Sequence, residues 1–256
     1  MLANNETGTI EPIKRIANLI NKYKKQGYRN IYFHSDATQA VGKIPIDVKK
    51  LKVDYLTFTA HKLGGPIGIA ALFARSGAPF KPLIIGGAQE NKRRAGTSNA
   101  ILAAGFAAAA KYCFDNKTWD KYKIVKKHRD YLAYEIKKRI PSAKIITPLD
   151  QNSASLPNIL NVAFPCAEGE STQLYLDLEN IEVSTGSACA SGDLEPSHVL
   201  MAMYHDAEIA HGSVRFSLPL NTTKAQIDYL LDKLPNIVAK IQDLSTLNKE
   251  HHNAKR

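Results

Sequence analysis

Cysteine is scarce in this chain: Cys113, Cys166 and Cys189 are the three thiols among 256 residues. So few at this size exclude a disulfide-stapled scaffold and point to a reducing compartment, hence a cytoplasmic location. Long apolar runs are lacking too. The longest, AILAAGFAAAA from Ala100 to Ala110, is too short to cross a bilayer and predicts a packed Ala-rich helix. The start, MLANNETGTI, has no basic stretch followed by an apolar one, so no signal peptide is expected. Acidic residues are outnumbered, 24 Asp and Glu against 34 Lys and Arg, for a net charge of +10. The bases are spread along helical segments such as Lys22 to Lys25 and Lys121 to Arg129, which reads as solvated helix faces. With no helix-turn-helix, zinc or RNA-binding signature, nucleic-acid binding is disfavoured, whereas a basic surface is compatible with an acidic protein partner.

What is present is a globular composition, 44% apolar and 23% charged, long enough for one large or two smaller cores. From the start to about residue 114, helix and strand patterns alternate. IKRIANLINKYKKQG is an amphipathic helix stopped by Gly27, and NIYFHSD, VDYLTFTA and IGIAALFAR read as strands. Gly64-Gly65-Pro66 marks a tight reversal, so IGIAALFAR is expected to pair antiparallel. From residue 115 to 247, charged helices, the strands NILNVAF and SVRFSL, the run IEVSTG and the helix KAQIDYLLDKLPNIVAKIQDL suggest a smaller α+β domain. The polar tail, 248 to 256, is expected to be disordered.

Two features carry chemistry. The strand VDYLTFTA runs into His61-Lys62, and the strand NIYFHSD ends at Asp36, 26 positions earlier. An amine and a carboxylate at neighbouring strand ends suit a pyridoxal phosphate site, where the amine condenses with the cofactor aldehyde and the carboxylate keeps the pyridine nitrogen protonated. On residue type alone the pair is weak evidence, since most lysines are solvated and most Asp after strands serve turns or caps. Second, Cys189 lies in STGSACASG, a stretch of small residues that cannot bury a thiol deeply, which suits a nucleophile. Cys113 in AAKYCFD reads as helix core, and Cys166 in AFPCAEGES as a strand-end residue.

HSDATQAVGKIPID, VDYLTFTAHKLGGPIG, GGAQENKRRAGTSN, LPNILNV, STGSACASGDLEPSHVL and AHGSVRFSLP occur in register. Together they resemble cysteine desulfurases of the NifS/IscS group, in the class V aminotransferase family of fold-type I pyridoxal phosphate enzymes. The resemblance runs from ANNETGTIEP to about Leu247. It implies the C-terminal part of a fold-type I large domain, α/β with a mostly parallel sheet, over residues 1–114, and a smaller α+β C-terminal domain. It also implies pyridoxal 5'-phosphate as cofactor and no metal. Lys62 resembles the lysine that carries the cofactor, and its freed amine would take the substrate Cα proton. Asp36 resembles the pyridinium partner, Gln39 the contact to the phenolic oxygen, and Asn5 a contact to the ring. Thr59 and His61 would donate to the phosphate. Thr97 resembles the residue that a homodimer lends to the opposite subunit's phosphate. Arg215 resembles the group that grips the substrate carboxylate, where a planar guanidinium suits bidentate contact. Asn158 and Asn161 read as structural, capping the strand or satisfying backbone groups.

The chemistry implied is removal of sulfur from L-cysteine, giving alanine and a persulfide on Cys189 for an acceptor such as an iron–sulfur scaffold or a tRNA-thiolating enzyme. Ile67 and Ala88 depart mildly from the pattern, standing where relatives often carry a basic residue and a glycine. The larger departure is at the beginning, where relatives carry a long segment before ANNETG; a truncated or split product is therefore expected. A non-catalytic remnant acting as an interaction module, or another class V enzyme such as an aminotransferase or a lyase, are the alternatives.

Overall fold

The structure is a computed structural model that describes residues 1–150, 154–186 and 196–245. It divides into two compact units, one of Met1–Asn4 with Ile10–Asp120, the other of Asn5–Thr9 with the chain from Lys121 onward. The tail beyond 245 lies outside the described residues.

In the first unit, α1 (Ile13–Lys25) buries Ile13 and Ala17 and ends with Lys22, Lys24 and Lys25, cations that complement the negative end of its dipole. Gly27 follows at φ +107°, a conformation that favours glycine, which explains the stop. Three strands, β1 (His34–Asp36), β2 (Tyr55–Thr59) and β3 (Ala70–Ala74), lie in the order β1-β2-β3. β1 and β2 are parallel, and β3 returns antiparallel to β2 as the Gly64-Gly65-Pro66 reversal led one to expect. The turn α2 (Val48–Leu51) is capped by Asp47, whose carboxylate accepts from the Lys49 and Lys50 N–H groups.

The expected strand from Asn30 is shorter than its apolar pattern suggests. At Phe33 a side chain replaces the ladder: the Phe33 N–H donates to the Asp54 carboxylate at 2.8 Å, and the Phe33 carbonyl accepts from the N–H groups of Asp54 and Tyr55. The same buried carboxylate accepts from Lys24 Nζ of α1 at 3.2 Å and from Arg75 Nε beyond β3 at 2.9 Å. Burial pushes the Asp54 pKa up, but the Arg75, Phe33 and Lys24 donors outweigh it and hold the group below the ordinary carboxylate range.

Beyond the turn α3 (Gln89–Lys92), in which Glu90 and Asn91 are left-handed, α4 (Ala100–Cys113) forms where the Ala-rich run was read. The packing expected of it is confined to one side. Its small residues seat one side against the reversal, where a Cβ at Gly105 would lie 3.0 Å from Pro66, and one at Gly65 would lie 3.1 Å from Ala109. Phe106 meets Phe58 edge to face at 5.7 Å. The opposite side faces outward, with Ile101 84% exposed. Cys113 is buried at the helix end, as read.

In the second unit, β4 (Lys144–Ile145), β5 (Ile159–Ala163), β6 (Ser184–Thr185) and β7 (Ser213–Ser217) form an antiparallel sheet of order β4-β5-β7-β6. Every residue of β5 is buried. The core joins this sheet to three helices, α5 (Asn116–Arg139, within this unit from Lys121), α6 (Gly169–Asp177) and α9 (Lys224–Leu244), through Leu132, Ile136, Leu160, Val214, Leu176 and Leu234. Two short helices, α7 (His198–Tyr204) and α8 (Ala207–His211), are capped by Ser197 and Asp206.

Helix α9 opens with a reciprocal capping box between Thr223 and Gln226 and runs through Pro235 without ending. Proline has no N–H for the carbonyl four residues earlier. That carbonyl, of Leu231, accepts from the Arg139 guanidinium of α5 at 2.9 Å. The strap Asn5–Thr9 docks beside β5, with the Leu156 N–H donating to the Gly8 carbonyl at 2.8 Å and Thr9 bridging Ser155. Gly8 has φ +76°, and a Cβ there would lie 3.2 Å from Ile159.

Candidate active site

Two groups of site residues are built, one within each unit. In the first unit, parallel pairing brings the carboxyl ends of β1 and β2 side by side, the usual ligand position of an open α/β sheet. Asp36 ends β1, paired in register with Thr57. Its exposed carboxylate is fixed by the Thr38 N–H at 2.9 Å, an Asx turn that leaves further acceptor capacity. One turn on, Gln39 Oε1 accepts from Lys43 Nζ at 2.8 Å, which leaves its amide N–H groups as donors. At the end of β2, Thr59 Oγ1 and His61 Nδ1 are linked at 3.1 Å. Lys62 follows in the 3-10 turn His61–Leu63, exposed, with Gly64 at φ +82° turning the chain away. Thr97 is exposed and lines a groove of about 1080 Å³ with Gly68, Ile69 and Asn99.

This donor set fits pyridoxal phosphate. All accessible at one end of a parallel strand pair, a carboxylate suits a ring N–H, an amide a phenolic oxygen, a hydroxyl and an imidazole together a phosphate, and an amine an aldehyde. Among the described residues, no group of three or more His, Cys, Asp or Glu is arranged to hold a metal ion, and no helix is long and apolar enough to cross a membrane.

In the second unit, Arg215 on β7 faces Asn161 of β5 on one side and Ser184 of β6 on the other. Its terminal nitrogen donates to the Asn5 carbonyl at 3.0 Å, which fixes the guanidinium plane. Arg215 Nε is buried without a hydrogen-bond partner, as are Asn161 Oδ1 and Asn158 Oδ1. Buried polar atoms left unpaired are costly, about 1–3 kcal/mol each, and call for a partner, either water or a ligand. An Arg N–H opposite an amide oxygen, that of Asn161, suits the carboxylate and ammonium ends of an amino acid. Asn161 also satisfies a backbone group, its Nδ2 donating to the Glu6 carbonyl at 3.3 Å. Asn5, read as a ring contact, belongs to this second group through its carbonyl.

Cys189 lies outside the described residues. Of the two described thiols, Cys113 is buried, with its pKa raised by that burial. Cys166 is pushed up to about 11, first by burial and then by Glu208, whose carboxylate accepts from its thiol at 3.1 Å. Neither is prepared as a nucleophile. The residue that sequence reasoning passed over is Glu6, which is only 5% exposed and whose carboxylate accepts from the Ser197 hydroxyl. Its position inside NETG, a polar stretch, gives no sign of burial.

The chain belongs to the aminotransferase class-V family, whose model matches residues 1–230. That family is one of pyridoxal phosphate enzymes, and pyridoxal phosphate is the cofactor of this fold. The chain is 45% identical over 250 residues to the cysteine desulfurase IscS of Dictyoglomus turgidum and 44% identical over 251 residues to a cysteine desulfurase of Cereibacter sphaeroides. Each alignment covers 98% of this chain and 61% of the relative, so the chain spans about three-fifths of the length of these relatives. Among solved structures it is similar to a NifS-like protein, with a TM-score of 0.81 at 38% identity over 93% of this chain and 60% of that one. A NifS-like protein from Rickettsia africae gives 0.80 at 35%, over 92% and 60%.

Proposed function

We propose that the chain carries the cofactor lysine, the substrate-binding arginine and the sulfur-accepting cysteine of a cysteine desulfurase that converts L-cysteine to L-alanine. The observation that carries this reading is the meeting of Asp36 with the Thr59–Lys62 turn at adjacent parallel strand ends, in a chain whose relatives are cysteine desulfurases.

Arg215 binds the substrate carboxylate through its unpaired Nε–H and neighbouring N–H, and the Asn5 carbonyl holds the guanidinium in orientation. Asp36, Gln39, Thr59, His61 and, from a partner subunit of a homodimer, Thr97 hold pyridoxal phosphate. When bound, the cofactor accepts the electron pair released at the substrate Cα. Lys62 takes the Cα proton as general base. Cys189, as thiolate, attacks the substrate sulfur; the S–S bond forms as the S–Cβ bond breaks, its electrons stay with carbon, and that carbon takes a proton to become the alanine methyl group. The sulfur then rests on Cys189 as a persulfide, ready for an acceptor such as an iron–sulfur scaffold in a reducing, cytoplasmic setting.

The test is the near-visible spectrum of the purified chain with pyridoxal phosphate, before and after L-cysteine, together with alanine release. A cofactor band that depends on Lys62 and changes with cysteine, with alanine release abolished in Cys189→Ser while the band persists, is the expected result. Turnover of another amino acid that is retained in Cys189→Ser overturns the assignment in favour of another class V lyase or aminotransferase. Absence of a Lys62-dependent band favours a non-catalytic interaction module.

A further inference from the structure

The strap Asn5–Thr9 touches two parts of the proposed machinery of the second unit. Its first carbonyl, of Asn5, accepts from Arg215. Its next residue, Glu6, is buried, and its backbone carbonyl accepts from Asn161, the residue opposite Arg215. The Glu6 side chain reaches elsewhere. Its carboxylate accepts from the hydroxyl of Ser197, the N-cap of α7, and lies against the backbone of Gly186, where a Cβ would come within 2.9 Å of Glu6 Oε2 and 2.9 Å of the Ser197 Cβ. Gly186 and Ser197 flank the segment 187–195, which contains Cys189. The two ends of that segment thus close on one buried carboxylate, and glycine at 186 is what lets them approach.

We infer that Glu6 is a positioning residue for sulfur transfer: its carboxylate holds the Ser197 end of the segment bearing Cys189 and packs against the Gly186 end, while the backbone of the same strap fastens Arg215. This rests on the reading of Cys189 as nucleophile and Arg215 as carboxylate site. The physical reason is geometric. Where the ends of a chain segment are held sets the positions that a side chain within it can reach, and small misplacement of a reacting group costs on the order of 100-fold in rate. Seating the Ser197 and Gly186 flanks against the strap that also orients the substrate arginine gives nucleophile and substrate one common reference.

The experiment compares Glu6→Ala, Glu6→Gln, Ser197→Ala and the double variant Glu6→Ala/Ser197→Ala in the full chain loaded with pyridoxal phosphate. Three quantities are read: kcat and KM for alanine formation, the cofactor spectrum, and iodoacetamide labelling of Cys189 resolved by mass spectrometry. Expected are a tenfold or larger fall in kcat for Glu6→Ala and Ser197→Ala with KM within twofold, an unchanged spectrum, and a double variant no worse than either single. Glu6→Gln, whose amide oxygen still accepts from Ser197, stays within threefold of the native kcat. Cys189 labelling rises at least fivefold in the two Ala variants, while labelling of buried Cys113 stays unchanged and shows the fold intact. Should Glu6→Ala fail to fold, Ser197→Ala carries the same test. Unchanged kcat and unchanged Cys189 labelling in folded Ser197→Ala overturn the proposal, as does a kcat loss matched by loss of the cofactor band. If Cys189→Ser keeps full turnover, the nucleophile reading has failed; the labelling comparison still decides whether Glu6 fastens the segment.

Discussion

Arg215 and Asn161 stand directly opposite each other in the antiparallel β5–β7 ladder, and each keeps one buried polar atom, Nε in the arginine and Oδ1 in the asparagine, without a partner. A donor and an acceptor left open in one cross-strand row suit a ligand with both kinds of group, which is the role proposed for Arg215. Truncating Arg215 to Ala is expected to lower kcat/KM for L-cysteine about 100-fold, about 2–3 kcal/mol, mostly through KM, because a charge-assisted contact made equally before and during reaction is lost. Lys restores part of the charge and little of the fork, so Arg215→Lys falls between the two. Steady-state kinetics of alanine release checks both.

Asp54 gives a stability prediction with a sign. Its pKa is lower when folded than when unfolded, so the stabilisation is fully present above the ordinary carboxylate pKa and is lost as pH falls through the lowered folded value. Asp54→Asn is expected to destabilise by about 2–4 kcal/mol at pH 7, since Lys24, Arg75 and the Phe33 N–H all lose their acceptor charge. The gap between native and variant stays flat from neutral pH to about pH 5 and narrows below about pH 4. Urea unfolding at several pH values measures it.

Arg139 and Pro235 are coupled through the Leu231 carbonyl. Replacing Pro235 with Ala supplies the missing backbone donor, so Arg139→Ala costs less in that background than in the native chain. A double-mutant cycle in denaturant is expected to return about 0.5–1.5 kcal/mol of coupling, and zero coupling would show that the side chain does not stand in for the absent N–H.

Cys166, raised to about 11, is expected to alkylate at pH 7.5 roughly 100-fold more slowly than an ordinary thiol, on thiolate fraction alone. Glu208→Gln speeds it only severalfold, because burial, the larger cause, remains. Peptide-resolved labelling kinetics distinguishes this from an unshifted thiol.

Much of the fold is legible where local chemistry and period agree. Helices α1 and α9 follow their apolar stripes, and α9 survives Pro235 because a distant arginine compensates, which no local rule contains. Helix α6 escaped notice because its buried positions include Gly169 and Thr172, which draw no apolar stripe. The late start of the strand expected from Asn30 reflects Asp54, 21 residues after Phe33, whose carboxylate takes the Phe33 N–H. The outward side of α4 is invisible in a run of alanines, which looks apolar in every direction. In the site, Lys62, Asp36 and Arg215 carry recognisable neighbours, whereas Glu6 meets Ser197 across 191 residues of sequence.

The Asp54 carboxylate has a thermodynamic corollary. Its ligands arrive from α1, from the approach to β1 and from the end of β3, so releasing any one of them strands a buried charge before the others have moved. Partial opening of this unit is thereby made more expensive than its size suggests. Amide protons in α1, β2 and β3 should then exchange as a single cooperative block, with helix α1 showing little of the independent fraying usual for a peripheral helix.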